Sequence, residues 1–140
     1  MKGLATLIKL HKRDLDVIRR KMVALENQKA QLEQLLIRLQ EELKKEIALA
    51  GKTPEMGAFF GDFAKRIRGR QEQVHSEIQA IDKKIAVVRD EIAVAFGEIK
   101  KFEIALENAK KRKVAAQNRR DTIVLDEIAS QQHHRIKDTQ

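Results

Sequence analysis

A heptad repeat constrains the fold of this chain more than any other feature of its sequence. From Leu4 onwards, alternating steps of four and three residues mark twelve positions, and ten of them are apolar. These positions are Leu4, Ile8, His11, Leu15, Ile18, Met22, Leu25, Lys29, Leu32, Leu36, Leu39 and Leu43. Because such steps follow the turns of an α-helix, the repeat predicts one long helix with an apolar seam of the coiled-coil type.

A second seam with the same spacing follows a break in the chain. The break, Ala50-Gly51-Lys52-Thr53-Pro54, has a glycine typical of a helix end, then a threonine N-cap and a proline suited to the first helical position. Fourteen of the fifteen positions of the second seam are apolar: Phe60, Ala64, Ile67, Gln71, Val74, Ile78, Ile81, Ile85, Val88, Ile92, Ala95, Ile99, Phe102, Leu106 and Ala109. We predict a single coiled-coil domain over 1–140, with helices over about 3–50 and 58–132, a turn over about 51–57 and a C-terminal tail.

The two seams match in length, which favours a hairpin. If the chain reverses near residue 52, residues whose numbers sum to about 105 face each other, so Leu4 lies near residue 101. The second seam loses its apolar character just beyond the residues that would face the N-terminal end of the first helix. The predicted fold is therefore all-α, an antiparallel two-helix coiled-coil hairpin with a longer second helix that projects beyond the paired part.

Composition and motifs exclude several classes of function. The chain has no cysteine, and it therefore has neither a disulfide framework nor a thiolate metal site. It also lacks the motifs of phosphate loops, zinc proteases and calcium loops, and a two-stranded coiled coil offers no concave pocket. We predict a protein that is not an enzyme and has no catalytic residue, cofactor or metal site. Since no apolar run reaches eighteen residues, we expect a cytoplasmic protein without direct membrane insertion.

The net charge of +8 is concentrated in two stretches. Residues 1–30 hold eight basic and three acidic residues, and residues 100–120 hold eight basic and two acidic ones. The hairpin would bring both stretches to the end that carries the termini, where they either form a solvated face or bind an acidic partner. Nucleic acid is disfavoured, because no basic helix leads into a parallel zipper and no aromatic residue outside the seam is interleaved with the cations. An acidic protein surface is the better candidate.

A few residues do not fit the repeat. His11 and Lys29 occupy seam positions, where polar side chains usually set the register or reach out of the interface. Phe59 and Phe63 lie off the register, and they either pack over the turn or form an exposed apolar docking patch. The run Leu35-Leu36-Ile37 raises the same question on the first helix, because only Leu36 is in register.

Several features together carry a resemblance to a known family. They are the helix start Leu4-x-x-Leu7-Ile8-x-Leu10, the heptads from Leu15 to Leu43, the Gly/Pro turn, the segment Phe59-Phe60-Gly61-Asp62-Phe63, the basic stretch Lys110-Lys111-Arg112-Lys113, Arg119-Arg120-Asp121 and the final Leu125-Asp126-Glu127-Ile128-Ala129. Over nearly its whole length the chain resembles the flagellar export protein FliJ family. These proteins are the small coiled-coil component of the bacterial flagellar type III export apparatus.

The resemblance implies an interaction protein at the cytoplasmic face of the inner membrane. It would link the hexameric export ATPase to the membrane export gate protein and would also bind export chaperones. Carried onto this sequence, the ATPase end comprises Lys9, Lys12, Arg13, Lys110, Arg112 and Lys113. The gate or turn side comprises Leu39, Glu42, Phe59, Phe63, Ile67 and Val74. The sequence departs from the family pattern there, with no Tyr or Trp and with glutamates at 42 and 46 instead.

Three alternatives remain open from the sequence. One is the corresponding stalk protein of a virulence-type type III secretion system, which shares the hairpin. Another is a coiled-coil chaperone or scaffold of the prefoldin type, although no segment has the two-residue period of the β-hairpins usual in that class. The last is a coiled coil that binds nucleic acid through phosphate contacts.

Overall fold

Two long helices make up nearly all of the computed structural model, which describes residues 2–138. The first helix, α1, spans Lys2–Ala50 and the second, α2, spans Pro54–Asp138; no strand occurs within the described range. The first stretch is rich in leucine and the second in alanine, and both are rich in long charged residues; all of these have high helix propensity. The predicted fold class is confirmed, since the chain forms an antiparallel two-helix hairpin with a longer second helix.

A turn over 51–53 joins the helices. At the end of α1, the Lys52 N–H donates to the Leu49 carbonyl at 3.1 Å. Gly51 follows the helix as predicted, but no described glycine has a positive φ, so α1 does not end in a left-handed cap. At the start of α2, the Met56 N–H donates to Thr53 Oγ1 at 3.1 Å, and Pro54 is the first helical residue. The predicted N-cap is therefore confirmed.

Both ends of α2 lie outside the range expected from the sequence. The helix begins at Pro54 rather than near 58, and it continues to Asp138, past 132. A helical glycine costs about 1 kcal/mol relative to alanine, so Gly57 weakens the first turn of α2. The Thr53 cap offsets that cost, and the Gly57 N–H itself donates to the Thr53 carbonyl at 3.1 Å.

The chain divides into two compact units, which are described separately. The turn unit comprises Asp14–Ala95, and the terminal unit comprises Met1–Arg13 with Phe96–Gln140. In the turn unit, one core cluster contains Leu39, Leu43, Ala64, Ile67 and Val74, and another contains Leu25, Ile85 and Val88. In the terminal unit, Ile8 and Ile99 are buried. Every buried apolar residue within 2–138 occupies a predicted seam position, so both seams are confirmed.

The register between the helices differs from the predicted one. In the turn unit, Gln71 Nε2 donates to Gln40 Oε1 at 3.2 Å, and Lys29 Nζ lies 2.7 Å from Asp82 Oδ1. The residue numbers sum to 111 in both cases rather than to about 105, so the reversal is centred beyond residue 55. Close to the turn, a Cβ at position 57 would lie 3.5 Å from the Ala50 carbonyl oxygen, so Gly57 packs near the end of α1.

The two polar seam residues are accommodated structurally. Half-buried His11 packs against Phe102, with ring centroids 5.0 Å apart. Half-buried Lys29 reaches out of the seam to Asp82 on the other helix. Both therefore have the structural role favoured by the sequence.

The last part of α2 contributes no residue to either core cluster. Every residue over 110–138 is exposed, which agrees with the loss of the apolar repeat after Ala109. This segment still carries large apolar residues, namely Val114, Ile123, Val124, Leu125, Ile128 and Ile136. Over 110–138 the helix is therefore exposed and has no apolar seam.

Candidate partner-binding surfaces

Nearly all of the net charge belongs to the terminal unit. This unit holds fourteen basic and seven acidic residues, a net charge of +7, whereas the turn unit holds fifteen and fourteen, a net charge of +1. No acidic residue lies between Glu107 and Asp121, and six basic residues do. The terminal unit is therefore the part of the chain suited to an acidic partner.

We call the cations of this unit that come from 2–13 and 100–120 the basic surface. They are Lys2, Lys9, Lys12, Arg13, Lys100, Lys101, Lys110, Lys111, Arg112, Lys113, Arg119 and Arg120. Glu103 binds two of them, with Lys12 Nζ at 3.5 Å and Lys100 Nζ at 3.4 Å. Lys12 is on α1 and Glu103 on α2, so this ion pair links the two helices within the terminal unit.

Most of the remaining cations have no carboxylate partner. Lys101 and Lys111 each lie 3.4 Å from a glutamate on their own helix. No ion pair within residues 2–138 involves Lys9, Arg13, Lys110, Arg112, Lys113, Arg119 or Arg120. Their charge is uncompensated and is available to a negatively charged molecule.

The segment Lys110–Lys113 is charged on all sides of α2. Consecutive helical residues differ by about 100° in direction, so four successive cations surround the helix axis instead of forming one face. All four are exposed. A partner that encloses the helix would contact every one of them, whereas a flat partner would contact about half.

The residues predicted for the ATPase end all lie in the terminal unit. Lys9, Lys12 and Arg13 come from α1, and Lys110, Arg112 and Lys113 come from α2; all six are exposed. Lys12 is the one member of this set with an ion-pair partner among residues 2–138. The fold therefore brings the two halves of the set into one unit, and their role as ATPase contacts stays a prediction.

The residues predicted for the gate or turn side all lie in the turn unit, but they differ in exposure. Leu39, Ile67 and Val74 are buried core residues, with Val74 fully inaccessible. Their side chains hold the two helices together and leave no surface for a partner, because each is a seam position. Phe63 is half-buried against the same cluster, whereas Glu42 is exposed and Phe59 is 59% exposed. The phenylalanine pair thus divides, with Phe63 packing near the turn and Phe59 facing solvent.

Other apolar side chains near the turn are also exposed. Ile37, which the sequence raised as a possible docking position, is 52% exposed, and Ile47 and Met56, which the sequence did not single out, are 55% and 44% exposed. All three lie off the heptad register, and this is the signal by which Ile47 and Met56 could have been found.

The described residues show no metal site and no candidate membrane span. Within 2–138, no group of three or more His, Cys, Asp or Glu residues is placed to hold a metal ion. Across the same range, neither helix has a stretch that is both long and apolar enough to cross a membrane.

The fold and these surfaces define an all-helical coiled-coil protein with a strongly cationic terminal unit. The sequence model of one family, described as flagellar FliJ protein, matches residues 1–137 of the chain. The chain therefore belongs to the FliJ family and is a flagellar export-related coiled-coil protein. The family is a non-catalytic component of flagellar export. No curated protein and no solved structure matches the chain.

Proposed function

We propose that this protein is a non-enzymatic component of the bacterial flagellar type III export apparatus that connects the hexameric export ATPase to the membrane export gate. It works in the cytoplasm, at the cytoplasmic face of the inner membrane, and it also binds export chaperones. Membership of the FliJ family supports a role in the export apparatus. The two units of the chain would provide separate surfaces for the partners.

The observation that carries the ATPase contact is the cationic segment Lys110–Lys113, which is charged on all sides of an exposed stretch of α2. A hexameric ring with an acidic opening can enclose such a helix and meet every cation. The α1 cations Lys9 and Arg13, which form no ion pair with any residue over 2–138, add to the positive charge of the same unit. Attraction of this kind increases the association rate and depends on ionic strength.

The turn unit supplies the contact with the export gate. Exposed Phe59 and Glu42 and the accessible part of Phe63 are the members of the predicted set that a partner can reach. An exposed aromatic side chain is a common anchor in a protein interface, because burying it removes a large apolar area from water. The buried members Leu39, Ile67 and Val74 would keep the two helices in register for this contact.

The experiment is titration of the chain into the export ATPase of the same organism, with ATP hydrolysis and binding as readouts. We expect the wild-type chain to raise hydrolysis and to bind more weakly as salt increases. The triple substitution Lys110→Glu, Arg112→Glu and Lys113→Glu should lower the affinity by about tenfold or more, because it reverses the charge of three contacts.

A matched control carries the same change of charge in the turn unit. Arg66→Glu, Arg68→Glu and Arg70→Glu reverse three exposed cations of α2 that belong to the turn unit, and this variant should bind within about twofold of wild type. If the wild-type chain leaves ATP hydrolysis unchanged, or if both variants lose binding equally, the proposed ATPase contact is wrong.

A further inference from the structure

A groove in the turn unit has an apolar floor and a cationic rim. Its floor is formed by Leu25 of α1 and by Val87 and Val88 of α2, and its rim by Lys21, Lys83 and Lys84. The cavity has a volume of about 550 Å³. We call it the lysine groove. Val87 is 57% exposed, so the floor offers apolar surface that the two helices do not cover themselves.

The lysine groove continues along the hairpin through a shared residue. Gln28 lines both this groove and a neighbouring cavity of about 400 Å³, whose floor contains Leu32, Leu35 and Ile81. Arg38 adds a cation at the far end, and no carboxylate among the described residues lines either cavity. From Lys21 to Arg38, the α1 side measures about 26 Å, the length of nearly five helical turns.

The opposite side of the same seam has a different charge pattern. A groove of about 530 Å³ there is lined by Glu26, Glu33 and Asp82 together with the cations Lys29 and Arg89. On a helix, Lys21 and Gln28 lie on one side of the seam position Leu25, and Glu26 and Glu33 lie on the other. The charged residues that line the lysine groove are therefore all cations, whereas those that line the opposite groove have both signs.

We propose that the lysine groove binds an amphipathic helix of another protein, with its apolar face on Leu25, Val87 and Val88 and with carboxylates opposite Lys21, Lys83 and Lys84. A third helix in a groove between two packed helices is a frequent mode of helix recognition. The uncompensated cations of the groove favour a partner helix with acidic flanks. Because no carboxylate lines the groove, those flanks avoid the repulsion that they would meet in the mixed groove on the opposite side.

A helix fits this groove better than a nucleic acid or another polyanion does. Phosphate binding would use the lysines and leave the apolar floor without a role, and no aromatic side chain lines either cavity for base stacking. An acidic amphipathic helix uses both parts of the groove. This site consists of residues other than those of the basic surface, so it is additional to the proposed ATPase contact.

The test uses the full-length chain and a labelled synthetic peptide of about 18 residues, long enough to span the groove. The peptide carries leucines at helical i, i+3, i+4 and i+7 spacing and glutamates on both flanks. Fluorescence anisotropy should show saturable binding that weakens between about 50 and 300 mM salt. Lys84→Glu should weaken binding by about tenfold, because the new carboxylate repels the peptide.

Two matched controls separate the groove from general effects on charge and hydrophobicity. Arg89→Glu makes the same change of charge on the same helix but lies in the mixed groove, and it should change the affinity by less than about twofold. Val87→Ser should weaken binding, whereas Val94→Ser, one heptad further and 67% exposed outside the groove, should not. All four side chains are exposed, so circular dichroism should show wild-type helix content in each variant.

Four results would overturn the proposal. The first is no binding of the peptide at about 0.5 mM protein, a concentration well above the dissociation constant expected for an apolar helix contact. The second is equal binding to wild type and Lys84→Glu. The third is equal binding of a scrambled peptide of the same composition, which would make the groove a simple polyanion site. The last is self-association in sedimentation velocity that Lys84→Glu abolishes, which would assign the groove to a second copy of the chain.

Discussion

At the scale of single residues, the Lys29–Asp82 ion pair shows how the seam accommodates a charge. Lys29 Nζ is 2.7 Å from Asp82 Oδ1, and two-thirds of its side-chain surface is covered, since 33% is exposed. The pKa of Lys29 is raised from its ordinary value of 10.5, first by the hydrogen bond that it donates to Asp82 and then by attraction to the same carboxylate. The ion pair therefore favours the folded state only while Lys29 is protonated.

This ion pair gives a pH-dependent prediction. Because the pKa of Lys29 is higher in the folded state, the contribution is complete below pH 10.5 and is lost as the pH rises through the folded-state value. We expect Asp82→Asn to lower the midpoint of thermal unfolding at pH 7 and to match wild type well above pH 10.5. Thermal melts followed by circular dichroism over this range measure both effects.

The control for this prediction is Asp90→Asn on the same helix. Asp90 is exposed and belongs to no ion pair among the described residues, so its substitution should leave the midpoint unchanged at every pH. A difference between wild type and Asp82→Asn that persists unchanged above the lysine pKa would contradict the assignment of the effect to this ion pair.

At the scale of elements, the start of α2 depends on one hydroxyl group. The Met56 N–H donates to Thr53 Oγ1 at 3.1 Å, and this bond satisfies one of the free N–H groups at the helix start. We expect Thr53→Ala to lower the free energy of unfolding by about 1 kcal/mol, and Thr53→Ser to retain it. Urea unfolding followed by circular dichroism provides the measurement.

A second threonine supplies the control for the cap. Thr122 Oγ1 donates to the Asn118 carbonyl at 2.9 Å within α2, a bond that does not help the helix begin. Thr122→Ala should therefore cause no loss of stability, since alanine has the higher helix propensity. Equal losses for Thr53→Ala and Thr122→Ala would show that capping does not explain the effect.

The sequence predicts the helices and their seams well, but it does not predict the register in which the two helices pair. The seam positions follow from periodicity alone, and all the buried apolar residues, from Ile8 to Ile99, lie on them. The register depends on how the chain turns between the helices, and no local pattern in the sequence encodes that geometry. For this reason Gln40 faces Gln71, six residues beyond the position that a reversal at residue 52 would give.

At the scale of the whole molecule, the sequence predicts the basic surface but does not predict the lysine groove. The basic surface could be found by counting charges, because its cations are clustered along the chain, as in Lys110–Lys113. The lysine groove combines Lys21 with Lys83 and Lys84, which are far apart in sequence. Finding it requires the true register and the side of each seam on which the residues lie, and both come from the structure.

The exposure of α2 beyond Ala109 leads to a prediction about the stability of the molecule. No residue over 110–138 is buried, so this segment contributes nothing to either core cluster. A chain that ends at Ala109 should unfold cooperatively at a midpoint within about 2 °C of wild type, since it retains every buried side chain. Its helical signal should fall by about a fifth, in proportion to the helical residues removed.

Hydrogen exchange on the full-length chain examines the same point without truncation. A helix that lacks tertiary packing is marginal in water, so amides over 110–138 should exchange much faster than those around Val74 and Val88. Binding of the export ATPase should slow exchange in 110–138 if the cationic segment is the contact. Protection of this segment in the free chain equal to that of the core would contradict the prediction, because it would require packing that the exposure of every residue there rules out.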